Sequence, residues 1–204
     1  MRNIFFALIL FGFAACNSSV SDNKHLETKC DSIHILLDQV VLQVKPGIDS
    51  AIFEQIFEIA NQGIQCDSQI YDYYFYKVQA LASMNHYQEA LETMEFMYRK
   101  FNINNYHSFF QRSILYNQLE DSIKAKDLFV QGYNKLLLEV NEYPDSIQIL
   151  VDYVLYSATY FDNSSGIYLL DSLIEKHPNN QLLLSMKDMD LDVVFKHSKL
   201  PKFN

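Results

Sequence analysis

The stretch Tyr74 to Asn102, YFYKVQALASMNHYQEALETMEFMYRKFN, decides the fold. In its first half Tyr74, Val78 and Leu81 stand at i, i+4 and i+7, the spacing of one helical face. After Asn85 the pattern starts again, with Ala90, Met94 and Met97 at the same spacing. Neither stripe can leave water alone. Two amphipathic helices joined by a short polar break bury their stripes by folding back on each other. The stretch predicts a helical hairpin.

Working outward, the arrangement recurs. Phe109, Ser113 and Tyr116 are followed by Ala125, Phe129 and Gly132, and the step from Ala90 to Ala125 is 35 residues. A third copy uses Leu150, Val154, Ser157, Gly166, Leu170 and Leu173. The step from Ala125 to Gly166 is longer, 41 residues. Against a two-helix repeat of about 34 residues the surplus is about seven, close to two helical turns, so the helix after Asp121 can lengthen without rotating its buried face. Leu136-Leu137-Leu138 and Val140 lie in that extension. Residues 31–63 read as a more degenerate hairpin, with Phe53, Phe57 and Ala60 on its second helix. Altogether the periodicity predicts helices over 31–44, 48–63, 69–84, 86–101, 105–118, 121–142, 145–160, 163–176 and 179–197. The last has no partner and would cap the array. Five Gly and four Pro are too few for an all-β chain with many tight turns.

The turn and small-residue stretch Asn85-His86-Tyr87-Gln88-Glu89-Ala90-Leu91, with Ala125 and Gly166 at matching positions and Pro178 closing the third unit, resembles the tetratricopeptide repeat family. The resemblance covers about residues 70–170; the family's first-helix Trp and Gly are both missing. It implies an all-α, right-handed α-α superhelix of three to four hairpins plus a C-terminal capping helix. It also implies a concave groove that takes a peptide or protein partner. Phe75 and Gln79, and in the following repeat Phe110 and Asn117, are the residues expected to face that groove.

The N-terminus carries a different signal. Arg2 precedes an apolar run from Ile4 to Ala15, which suits a signal peptide over 1–15. It is too short for a membrane span of about 20 residues. Phe13-Ala14-Ala15-Cys16 resembles a bacterial lipobox, which implies cleavage before Cys16 and diacylation of its sulfur. Residues 16–29 then read as a polar tether and 30–204 as the helical-repeat domain. Asn17, where an Asp would retain enteric lipoproteins in the inner membrane, points to the outer membrane. Asp-Ser pairs at 31–32, 49–50, 67–68, 121–122 and 145–146 are expected to cap helix starts.

Little in the chain bears catalytic chemistry. Cys30 and Cys66 stand 36 residues apart and read either as two unpaired thiols or as a disulfide. A bond would require the chain to pinch in, since stacked helices lie about 8–10 Å apart. The six His are scattered without H-E-x-x-H spacing, and no C-x-x-C, Walker or Rossmann Gly pattern occurs. Asp188, Asp190 and Asp192 open like a calcium loop, but Val193 replaces the turn Gly and Lys199 the closing Glu. A net charge of −9 with no basic stripe argues against nucleic acid. The expectation is a non-enzymatic, lipid-anchored interaction module of the cell envelope, with no cofactor, metal or small-molecule substrate. An accessory lipoprotein of an envelope machine and an immunity-type inhibitor are the alternatives.

Overall fold

The computed structural model describes residues 27–44 and 50–187. The expected signal segment, Cys16, the first part of the tether, Pro46-Gly47 and Asp188 to Asp192 lie outside the described residues. Among the described residues the chain forms nine helices: α1 (Glu27–Val41), α2 (Ala51–Cys66), α3 (Tyr71–Ser83), α4 (Tyr87–Lys100), α5 (Tyr106–Gln118), α6 (Ser122–Glu142), α7 (Ile147–Tyr160), α8 (Asn163–Lys176) and α9 (Gln181–Lys187). The α1 helix starts at Glu27, so the last three residues of the expected tether are helical. The chain divides into two compact units that meet between Ile103 and Asn104.

In the first unit, α1 to α4 pack antiparallel, each on the next. Its core joins Leu37 and Val40 of α1, Phe53, Ile56 and Ile59 of α2, and Tyr73 and Ala80 of α3. Each Leu, Val, Ile or Phe among them contributes about 1.5–3 kcal/mol on full burial. The Tyr73 ring is completely buried. It lies flat against α2 at Gly63, where any Cβ would overlap the ring. Cys30 and Cys66 are joined by a disulfide with their Cα atoms 5.8 Å apart, which settles the pairing left open above. The bond ties α1 to the final residue of α2, and the helices do pinch together there.

Three of the connections share one device. Asn85, Asn102 and Glu120 follow the ends of α3, α4 and α5 with φ of 65°, 52° and 63°. At each, one N–H reaches back to close a wide turn: His86 to Leu81 O, Ile103 to Tyr98 O and Asp121 to Tyr116 O, at 2.9–3.0 Å. The preceding N–H closes the narrower bond, Asn85 to Ala82 O, Asn102 to Arg99 O and Glu120 to Asn117 O. This is the Schellman pattern, normally built on Gly; Asn tolerates it, and Glu120 occupies it at a steric cost.

The Asp-Ser expectation needs correcting. Asp121 does cap α6, accepting from Lys124 N at 3.0 Å. Asp31 and Ser32, however, lie inside α1, and Asp67 follows the end of α2, where its carboxylate accepts from Gln69 N. Other first turns are capped by Asn105, Asp162 and Asn180. Any short oxygen-bearing side chain at the turn can serve, so a dipeptide pattern is too narrow a rule.

In the second unit, α5 to α9 again pack each on the next. The α6 helix runs for 21 residues, the elongated helix expected after Asp121. Its buried residues Ala125, Leu128, Phe129, Gly132, Tyr133 and Leu136 hold one face throughout. The small residues expected at the hairpin crossings are all buried: Ala90 and Ala125 completely, and Gly166 with them. At Gly166 the α7 backbone comes close, so that a Cβ would meet Ala158 Cβ, Ala158 Cα at 3.1 Å and Val154 O at 3.3 Å. Helix propensity alone would make Gly166→Ala stabilising by about 1 kcal/mol. Overpacking against backbone that cannot yield costs about 1–3 kcal/mol. Urea denaturation of Gly166→Ala should therefore show a lower midpoint than wild type, and a higher one would refute this crossing.

Candidate functional site

The polar centre of the second unit is built by α5 and α7. Asn105 accepts from Ser108 N at 2.9 Å while Ser108 Oγ donates to Asn105 O at 2.7 Å, fixing the first turn of α5. That turn presents Tyr106 and His107. Facing them, α7 carries Asp152 in the run Ile149-Leu150-Val151-Asp152-Tyr153-Val154-Leu155. Tyr106 OH donates to Asp152 Oδ2 at 2.7 Å, and His107 Nε2 stands 3.5 Å from the same oxygen. Gln148, one turn earlier, adds a side-chain hydrogen bond to the carboxylate.

Aromatic rings wall this centre. Tyr106 lies over His107 with ring centres 4.1 Å apart. Phe110 stacks on Tyr156 at 3.5 Å and 12° and meets Phe129 of α6. Tyr160 stacks on Phe129 and Tyr133, and Tyr133 shares a buried 2.9 Å bond with Ser157 Oγ. Offset and edge contacts of this kind add about 0.5–1.5 kcal/mol per pair beyond area burial.

Burial sets the protonation states. Removal from water pushes the Asp152 carboxyl up to about 6, opposed by its bonds from Tyr106 and Gln148 and reinforced by the charge of Glu139. The same desolvation lowers His107 to about 4. At neutral pH the imidazole is therefore uncharged, and its approach to Asp152 is not an ion pair. Tyr106 is driven above its ordinary value by burial and by the neighbouring carboxylate, so it stays protonated as a donor. Tyr133 is pushed up to about 12, again by burial first. At neutral pH the arrangement holds the Asp152 carboxylate beside two neutral donors, Tyr106 and Gln148.

The groove residues expected from the sequence are split between the units, Phe75 and Gln79 on α3 and Phe110 and Asn117 on α5. Phe75, Gln79 and Phe110 are only 7%, 5% and 1% exposed, and this placement corrects their assignment to an open groove. The α3 helix is packed against both α2 and α4, so faces that a single hairpin partner would leave open are covered. Phe75 lies against Tyr71 and Tyr76, while Tyr74 packs on Phe96 and Phe101 of the α4 end. Lys100 Nζ sits 5.4 Å from the Tyr74 ring centre and 5.8 Å from that of Phe101, within cation–π range. Asn117 is half-buried on α5. Asp152 and His107 were passed over in the sequence, although an acid inside seven otherwise apolar residues is a usable signal.

Among the described residues no group of three or more His, Cys, Asp and Glu converges to hold a metal ion. Likewise, no helix among them is long and apolar enough to cross a membrane. Comparison with protein-family models, with curated proteins and with solved structures finds no match to this chain.

The two shifts act on stability in opposite directions. His107 binds its proton less readily folded (about 4) than unfolded (6.5), so its contribution to stability falls as pH drops through that window. Asp152 binds its proton more readily folded (about 6) than unfolded (3.8), so its contribution rises over nearly the same window. The pair largely cancels. Unfolding free energies at pH 7 and 4.5 should separate the two halves. Relative to wild type, Asp152→Asn should lose stability on acidification and His107→Gln should gain it. Equal pH slopes in all three proteins would rule this pairing out.

Proposed function

We propose that the chain is a non-enzymatic, lipid-anchored interaction protein of the bacterial cell envelope, built from tetratricopeptide-like hairpins in a right-handed superhelix. The observation that carries the reading is neighbour-on-neighbour packing of helical hairpins with a small residue buried at each equivalent crossing, Ala90, Ala125 and Gly166. In such an array recognition comes from the surface of successive helices, and no residue needs to perform a reaction.

The surface best suited to a partner is the half-buried face of α5 and α7 in the second unit. On α5 it runs through His107, Gln111, Ile114 and Asn117, spaced as one helical stripe. On α7 it includes the exposed Gln148 and the half-buried Tyr156. Amide and aromatic side chains at this density favour a peptide or protein over a small-molecule substrate or nucleic acid. The lipobox-like Phe13-Ala14-Ala15-Cys16 supports attachment through Cys16, and Asn17 supports the outer membrane. Acyl chains on one residue would anchor it stably, at about 0.8 kcal/mol per buried methylene.

Two measurements test the reading. A photo-crosslinking residue at Gln111 should capture an envelope protein in intact cells, while one at exposed Lys126 on α6 should not. Equal labelling from both positions would remove the α5–α7 face as the recognition surface. Separately, Cys16→Ser should move the protein from the membrane to the soluble fraction. A variant that stays membrane-bound would end the lipid-anchor reading.

A further inference from the structure

We infer that the Cys30–Cys66 disulfide is a redox-released latch on α1: reduction frees this helix from α2 and uncovers the apolar face beneath it, while α3 and α4 stay folded. The inference concerns the first unit alone and does not depend on the recognition face proposed above.

Non-covalent packing holds α1 less fully than α3, with Ile33 and Val41 only partly buried against the core. Only Leu37 and Val40 among its described side chains are buried, whereas α3, two residues shorter, buries eight side chains from Tyr73 to Ala82. Ile35 and Leu36 of α1 are 57% and 44% exposed, and Leu42 just beyond it is 81% exposed. The placement of the bond makes up for this. At one end α1 is joined to α2 through the chain; at the other, Cys30 is bonded to the last residue of α2. The disulfide therefore closes the open end of an antiparallel pair. Its companions there are a 3.3 Å bond from Tyr73 OH to Cys30 O and an edge contact between the His34 and Tyr73 rings. Under α1 lie Ile56, Ile59, Tyr73 and Ala80, the core that its departure would expose.

Both cysteines are half-buried, so an attacking thiolate can reach the bond. In the step, a dithiol's thiolate attacks one Sγ and the S–S bond breaks. Its electron pair leaves on the other Sγ, which takes up a proton. The reductant's second thiolate then resolves the mixed disulfide, giving two cysteine thiols and one oxidised dithiol. Freed of the cross-link, a detached α1 recovers the chain entropy that the closed loop had denied it.

The test uses the full chain with Cys16→Ser, so that Cys30 and Cys66 are the remaining two of its three cysteines. Amide hydrogen exchange is followed by mass spectrometry with and without dithiothreitol, and thiol labelling verifies complete reduction. Amides of α1 should exchange at least about tenfold faster after reduction, as loop-entropy release predicts. Those of α3, α4 and the second unit should not change. Cys30→Ser/Cys66→Ser should match the reduced protein without dithiothreitol. Reducing the already folded oxidised protein keeps the test valid if that double variant fails to fold. Unchanged α1 protection after full reduction would overturn the latch. So would loss of protection across α2 to α4 together, which makes the bond a support for the whole unit.

Discussion

Within each unit, the fold rests on the burial of each helix's apolar stripe against the next helix in the chain. That constraint needs connections that reverse direction within a few residues, and the left-handed residues Asn85 and Glu120 supply two of them, α3 to α4 and α5 to α6. Each terminates a helix by returning two N–H groups to the last carbonyls, so the helix ends are satisfied while the chain turns. At these turns the antiparallel return is written into local backbone chemistry. Packing between sequence neighbours keeps contacts local, and the fold needs no distant partner for any one hairpin.

The same locality explains what the sequence disclosed. Stripes such as Tyr74, Val78 and Leu81, or Leu150, Val154 and Ser157, are all buried where the period places them. The longer step to Gly166 became a longer α6 because whole turns preserve the buried face. Periodicity shows which face of a helix is apolar, however, and not how many neighbours surround it. For that reason Phe75, Gln79 and Phe110 were assigned to a groove yet lie inside. The polar centre was hidden for a related reason. Tyr106 and Asp152 are 46 residues apart, and only the juxtaposition of α5 with α7 makes an isolated acid and an ordinary Tyr into one buried network.

That network has consequences for how the second unit specifies its packing. A buried carboxylate is costly unless its lone pairs are used. Here Tyr106 and Gln148 supply the donors, and the ring of His107 closes over the same oxygen. A register slip of either helix would leave the charge without these donors, while the surrounding rings could restack in several ways. The polar centre therefore fixes one alignment of α5 and α7 where the aromatic contacts alone would tolerate many.

The two units reach order by different means. In the second, stacked rings from α5, α6 and α7 and hydrogen bonds between helices distribute the hold over many contacts. In the first, α1 buries few of its apolar side chains, and a single covalent bond supplements the packing it does make. Distributed contacts weaken gradually when one is lost; a cross-link is either present or absent. A helix held by the second kind of constraint responds to the redox state of its surroundings in a way that α5 to α7 cannot. If the chain is tethered through Cys16, any pull from the membrane reaches the described residues through this helix. The disulfide carries such a load from Cys30 directly to Cys66, past the α1–α2 hairpin, so the weakest packing in the unit is spared the force that would otherwise peel it away.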